Sequence, residues 1–374
     1  MPDAPISGFV APGFEAVQDA FADNFARGEE QGAGFAVLKD GEVIIDLLGG
    51  WADRAGTSPW NAGTLVPVYS TTKGIAALVL AIAAETLPAG YDTPVAEVWP
   101  EFGVAGKAAI TIGDVASHQA GLPGFAEEID PALWLDPPAC AAALAALAPM
   151  WPPGTAHGYH PLSWGYLIGE IVRRLTGRTL GSLLREDITG PLGIDFHIGL
   201  PATEHGRVAD ILRPRSPAAL GEITPPRRAA FLAKWAAPDR GGTIWREIEI
   251  PSANGHGTAC AVATLYNAYA STGLIGARRL MRPGTFKALI STRVDGPDLV
   301  LPMTTRFGAG IMHNSYKAFG PFEDGLGHCG WGGSLAIASP SHGLTCAYVM
   351  NRQSGILVGD PRAVRLVEAV AGCL

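Results

Sequence analysis

Val68-Tyr69-Ser70-Thr71-Thr72-Lys73-Gly74-Ile75 is the stretch from which the rest of this chain can be read. Upstream, Thr64-Leu65-Val66-Pro67-Val68 is short, extended and bounded by turn residues. Downstream, residues 74–87 (GIAALVLAIAAETL) are rich in helix formers and apolar on nearly every face. A helix with no wet side belongs in the core. Ser70 therefore stands at the N-terminal edge of a buried helix, where backbone N–H groups lack intrahelical partners and the helix dipole favours negative charge. Ser70 and Lys73, three residues apart, share one helical face. A lysine buried in apolar surroundings is driven towards the neutral amine, and an amine beside a hydroxyl activates a serine without histidine. A capping serine with a snorkelling lysine spells the same four letters, so S-x-x-K needs companions elsewhere in the chain.

The 374 residues suffice for one large domain or two interleaved ones, and 48% hydrophobic with 17% charged residues describes a folded, enzyme-like chain. A net charge of −8 without any Lys/Arg-rich run argues against nucleic acid as a partner. The 48 glycines and 30 prolines are dispersed, which implies many shaped turns. The N-terminal residues carry neither a basic nor an apolar signal region, and the apolar run from Gly74 is cut short by Glu85 and Pro88. No membrane span and a cytoplasmic location are therefore expected. Cys140, Cys260, Cys329, Cys346 and Cys373 are odd in number and lack C-x-x-C spacing, so they read as reduced thiols. No phosphate loop, nucleotide fingerprint or metal cluster is present in the pattern, and no cofactor is expected.

Residues 14–30 carry apolar positions at helical spacing. Residues 34–39, the Asp40-Gly41 turn and residues 42–48 read as a β-hairpin. From about Tyr91 to Ala237 the chain turns to helices and proline-rich loops. Thr111 with Asp114 three residues on is expected to cap a short helix, and further helices are expected over 140–147, 162–175 and 180–188. Residues 201–250 read as loop-rich. After Pro251-Ser252-Ala253-Asn254-Gly255-His256-Gly257-Thr258 a helix runs to Tyr269. Residues 305–312 are expected as one strand, and 334–338 with 344–350 as an alternating hairpin, before a final helix over 360–373. Strands at both ends with helices between predict one antiparallel sheet built from both termini and flanked by helices. The expected division is a sheet unit of residues 1–90 and 251–374, a mainly helical unit of 91–250, and a site at their junction.

Three features in this order resemble the serine β-lactamase and penicillin-binding-protein superfamily: Ser70-Thr-Thr-Lys73, then Tyr159 after Pro153-Gly154-Thr155, then Gly327-His328-Cys329-Gly330 before a terminal hairpin and helix. The resemblance is nearest to the class C-like branch and, within it, to family VIII carboxylesterases. It implies a β-lactamase-like α/β fold and acyl transfer through a covalent acyl-enzyme on Ser70. Tyr159, as a phenolate or through Lys73, would take the Ser70 proton and return it to the leaving group. Backbone N–H groups of Ser70 and Trp331 would form the oxyanion hole. His328 and Gly330 would line the substrate, and Gln119 could reach the acyl group from its loop. Trp331-Gly332-Gly333 also resembles a W-G-G signature of these esterases.

The departures from the lactamase pattern are informative. The position two after the tyrosine, normally an asparagine that holds the lactam amide, is Pro161, which has no side-chain donor. The third motif normally begins with lysine; here it is His328, largely neutral at pH 7. Both changes remove recognition of an acidic amide and leave the acyl-transfer groups in place. The expected substrate is a small, uncharged, short-chain carboxylic ester, with a class C-like β-lactamase, a D-amino acid amidase or peptidase, or a penicillin-binding module without turnover as alternatives. His157 and His160 have ligand-like spacing without a third ligand and read as solvent-facing, and His256 as a loop residue at the site edge. No G-x-S-x-G elbow occurs.

Overall fold

The computed structural model describes residues 5–238 and 242–374. The hairpin forms as the Asp40-Gly41 signal demands: β2 (Gly32–Lys39) and β3 (Glu42–Gly50) are joined by residues with φ of 50° and 87°, the two positive values of a type I′ turn. Strand β1 (Ile6–Val10), which was not anticipated, pairs with β3 at the sheet edge, and its exposed side chains explain the weak pattern. The far end of the chain supplies β4 (Val294–Pro297), β5 (Thr304–Phe307), β6 (Met312–His313), β7 (Leu326–Cys329), β8 (Leu335–Ser339) and β9 (Leu344–Met350). The order is β1-β3-β2-β9-β8-β7-β6-β5-β4, and every pairing is antiparallel. Strand β9 closes the sheet onto β2, from Leu344 opposite Lys39 to Met350 opposite Ala33. The expectation of one sheet from both termini is met.

Helices cover both faces of this sheet, and the period-2 alternation of strand side chains sorts two cores. Phe35, Val37, Cys346 and Tyr348 pack towards α1 (Glu15–Ala26) and α5 (Pro361–Ala371). Ala36, Leu38, Ala347 and Val349 share a core with α2 (Thr72–Ala84), α3 (Ser163–Thr176) and α4 (Ala259–Ala270). Because both faces are covered, β8 and β9 are buried throughout, and the half-exposed alternation expected of them is absent. The expected strand over 305–312 is split into β5 and β6 by a turn at Gly308–Ile311.

Between the two sets of strands the chain is mainly helical. Thr111 and Asp114 form the expected reciprocal cap, and Gly177 ends α3 in the left-handed conformation. A small three-stranded sheet (Val66–Pro67, Gly255–Gly257, Phe196–Ile198) ties the segment before Ser70 to the 251–258 stretch.

Candidate active site

Ser70 lies on a tight turn, Tyr69–Thr71, that leads into α2. Twelve of the thirteen α2 residues are buried, as an all-apolar helix requires. Tyr69 adopts φ +47°, a conformation that costs a non-glycine residue about 1–2 kcal/mol. Neighbours hold it there. Ser334 Oγ donates to Val68 O at 2.7 Å and lies 3.0 Å from Thr71 Oγ1, while Tyr266 donates to Thr71 O at 2.6 Å. Gly330 presses so closely on this segment that a Cβ there would stand 2.2 Å from Val68 O. The third motif is thereby laid directly against the Ser70 turn, with His328 and Cys329 on β7 and Trp331-Gly332-Gly333 in the turn beyond it.

Lys73 has no exposed surface. Its Nζ donates to Pro161 O at 2.8 Å and to Ser252 O at 3.0 Å, and lies 3.2 Å from Ser70 Oγ. Carbonyl oxygens can only accept, so those two contacts fix two N–H bonds and leave one direction aimed at Ser70. Among the described residues no carboxylate pairs with Lys73, and burial holds its pKa well below the lysine range. The nitrogen sits 4.6 Å from the centre of the Tyr159 ring.

Tyr159 is buried, and burial pushes its pKa well above the phenol range, with Ser70 offsetting part of the rise. Burial thus favours the phenol over the phenolate at rest. Its Oη has no partner at hydrogen-bonding geometry among the described residues, although Ser70 is near enough to influence it. Asp298, which the sequence reading did not single out, fixes the Tyr159 backbone by accepting its N–H at 2.9 Å. It also accepts from the N–H groups of Val300 and Leu301 and from Thr305 Oγ1.

Four histidines surround this centre. His157 and His160, expected in solvent, are both buried: His157 Nε2 meets Thr305 Oγ1 at 2.8 Å, and His160 accepts from Leu122 N–H at 2.9 Å. The expectation failed because ligand-like spacing in a loop says nothing about which strand later covers that loop. His118, at φ +67°, packs its ring 4.9 Å from that of Tyr159. The Gln119 amide turns away, donating to Ser117 Oγ at 2.9 Å and to Asp114 Oδ1 at 3.4 Å, and Gln119 does not line the Ser70 cavity. His328 is buried beside Tyr159, and burial with Lys73 nearby drives its pKa to about 3. Its Nδ1 is 2.8 Å from Cys329 O, so the proton sits on Nδ1 and Nε2 is an acceptor. The third motif thus offers a neutral acceptor where the lactamase pattern has a cation.

Ser70, Tyr159, Pro161, His328 and Trp331 line one cavity of about 50 Å³, whose remaining walls include Leu162, Phe231, Leu301, Met312 and Val358. Among the described residues no group of three metal-ligating side chains forms a metal site, and no helix is long and apolar enough to cross a membrane.

A serine-bearing turn, a buried amine and a phenol beside an inner strand of an antiparallel sheet define a serine hydrolase of β-lactamase-like fold. The Beta-lactamase family model matches residues 17–371, and the chain belongs to that family. It is 35% identical to the esterase/beta-lactamase LipL of Mycobacterium tuberculosis, across 96% of this chain and 86% of LipL. Among solved structures it is similar to a penicillin-binding protein homolog from Caulobacter crescentus (TM-score 0.96, 50% identity, 99% of this chain and 100% of that one). It is also similar to a family VIII carboxylesterase (TM-score 0.92, 38% identity, 99% and 100%). The protein is a hydrolase of the esterase/β-lactamase fold with family VIII carboxylesterases among its structural neighbours.

Proposed function

We propose that the protein hydrolyses short-chain carboxylic esters, uncharged around the scissile bond, through an acyl-enzyme on Ser70. The observation that carries this reading is the lining of the Ser70 cavity, which is small and apolar and offers no fixed cation where the third-motif lysine would stand. Residues 1–90 and 251–374 would act as the sheet unit and 91–250 as the helical unit, with the site between them.

In the first step neutral Lys73 takes the proton from Ser70 as Oγ attacks the ester carbonyl. The oxyanion forms against the backbone N–H groups of Ser70 and Trp331, each such donor being worth about 2.7–4 kcal/mol in the transition state. As the C–O bond breaks, the Tyr159 phenol protonates the leaving alkoxide, and the Lys73 ammonium restores the Tyr159 proton. Water then attacks the acyl-enzyme with the same groups in reverse order. The esterase/beta-lactamase name of the LipL relative makes β-lactam cleavage the second reading, against which Pro161 and His328 weigh.

The deciding assay is hydrolysis of p-nitrophenyl acetate, butyrate and octanoate beside nitrocefin, by the wild type and by Ser70→Ala. Turnover of the acetate and butyrate that is lost in Ser70→Ala, with slow nitrocefin cleavage, is expected. Ester turnover that survives the substitution sinks the mechanism, and fast nitrocefin turnover puts the β-lactamase reading first. A burst without a steady state would indicate a module that is acylated and stays so.

A further inference from the structure

A second cavity, about 540 Å³ in volume, adjoins the Ser70 cavity across a shared wall of Tyr69, Trp245 and Trp331. Its chemistry is the opposite of the inner one. Among the described residues, Arg54, Arg213 and Arg246 line it against one acid, Asp210. Asp210 accepts the Arg54 backbone N–H at 2.9 Å, and the Arg54 guanidinium turns to Ile211 O at 3.4 Å. Among the described residues neither Arg213 nor Arg246 has a carboxylate partner. On a chain of net charge −8, three arginines around one cavity next to the nucleophile are an exception to the general balance. Such a concentration of one sign focuses the field and draws in the opposite charge.

An independent feature points into the same space. His256, with no exposed surface, lines this cavity beneath Trp245, the rings 5.8 Å apart. Its Nδ1 is 2.8 Å from Asn254 O and so carries the proton, which leaves Nε2 as an acceptor without a partner among the described residues. A buried polar atom left unpaired costs stability, and a donor on a ligand bound in this cavity would satisfy it.

We infer that the outer cavity holds the anionic end, a carboxylate or phosphate, of the ester substrate, whose scissile bond lies over Ser70. The assignment rests on the esterase reading and extends it: charge is excluded beside the scissile bond and accepted beyond the Tyr69–Trp331 wall. Substrates would be acidic esters with a small group in the inner cavity, a larger anionic portion in the outer one, and a hydroxyl or N–H for His256. Guanidinium groups suit both anions because their planar forks bind two oxygens at once.

The test compares kcat/KM for ester pairs that differ only in a remote charge. One pair places it on the acyl side (mono-4-nitrophenyl glutarate against its methyl ester), the other on the alcohol side (4-acetoxybenzoate against 4-acetoxybenzamide). The wild type should favour one anionic member. That preference should fall about five- to tenfold in Arg213→Gln/Arg246→Gln and reverse in Arg213→Glu/Arg246→Glu, with thermal unfolding confirming that the variants are folded. Inhibition of p-nitrophenyl acetate hydrolysis by glutarate and by inorganic phosphate, each weakened in the variants, distinguishes the two anions. Equal ratios in wild type and variants, with Ser70-dependent turnover of neutral esters intact, would overturn the anion site and leave the esterase reading standing. If wild type turned over no ester, calorimetric titration of glutarate and phosphate into wild type and the Gln variant would still decide the cavity. Binding weakened by the variant supports it, and no binding overturns it.

Discussion

The protein buries two lysines, Lys73 and Lys107, and they are alike in nearly every respect except reach. Neither has exposed surface. Each donates to two main-chain carbonyls: Lys73 to Pro161 and Ser252, Lys107 to Val104 and Leu147. Each lies by an aromatic ring, 4.6 Å from the centre of Tyr159 and 5.5 Å from that of Phe102. Burial lowers the pKa of both. The difference is the third direction, which at Lys73 meets Ser70 Oγ at 3.2 Å and at Lys107 meets no hydroxyl among the described residues. A buried amine held by two main-chain carbonyls therefore occurs at both positions. The serine within reach of Lys73 is the reason the proposed mechanism assigns the base to that lysine.

The largest contrast should come from replacing each lysine with methionine, which keeps the stem and removes the amine. Lys73→Met is expected to lower kcat on p-nitrophenyl acetate by about 10³–10⁴-fold, the scale of a lost general base. Lys107→Met should leave kcat within about twofold and instead lower the melting temperature by a few degrees, because two buried carbonyls lose their donor. Similar kinetic losses in both variants would show that Lys73 acts through the fold and not through Ser70.

Tyr159→Phe sharpens the division of labour between amine and phenol. If Tyr159 protonates the leaving group, the loss should depend on how badly that group needs a proton. About 10²–10³-fold is expected on an ethyl ester, and less than about tenfold on the p-nitrophenyl ester, whose phenolate leaves unaided. An equal loss on both would place Tyr159 on the Ser70 proton instead, as the phenolate branch requires.

The local setting of Ser70 and Lys73 and the sheet built from both termini were legible in the sequence, and the long-range partners of the site were not. An all-apolar run after Ser70-Thr-Thr-Lys73 can only be a core helix, so the burial of Lys73 followed from local pattern. The hairpin at Asp40-Gly41 and the Thr111 cap were equally local. What escaped were long-range partners. Ser252 lies 179 residues from Lys73, Asp298 lies 139 from Tyr159, and Ser334 lies 266 from Val68. None has a periodicity that reveals its target. The histidines failed for a related reason: their polarity suggested water, whereas β5 and the 118–122 loop supply enclosed hydrogen-bond partners. Gln119 was one position away from His118, the left-handed residue at that corner whose ring packs against Tyr159.

The smallest effect is a matter of single protons, and it separates the two lysines by pH. A native pKa depressed below the unfolded value of about 10.4 means that, between the two, the unfolded chain holds a proton the native chain has released. Unfolding free energy then rises with pH by up to about 1.4 kcal/mol per unit for each such lysine. The rise ends above the unfolded pKa, and the gain is lost again as pH falls through the depressed native value. His160, His256 and His328, each near 3, act with the same sign only below about pH 6.5, and the buried tyrosines act oppositely only above about 10. The buried cysteines Cys140, Cys260, Cys329 and Cys346, whose pKa burial raises, also act oppositely once pH passes about 8.5, so urea titrations between about pH 7 and 8 isolate the lysines. Lys73→Met and Lys107→Met should each flatten the slope by as much as one proton, because the linkage records burial alone. The rate behaves differently: kcat/KM should rise with pH until Lys73 is fully neutral and then level off. Lys107→Met should leave that limb where it is. A limb that moved with Lys107 would mean that the activity follows stability, and the distinction between the two amines would collapse.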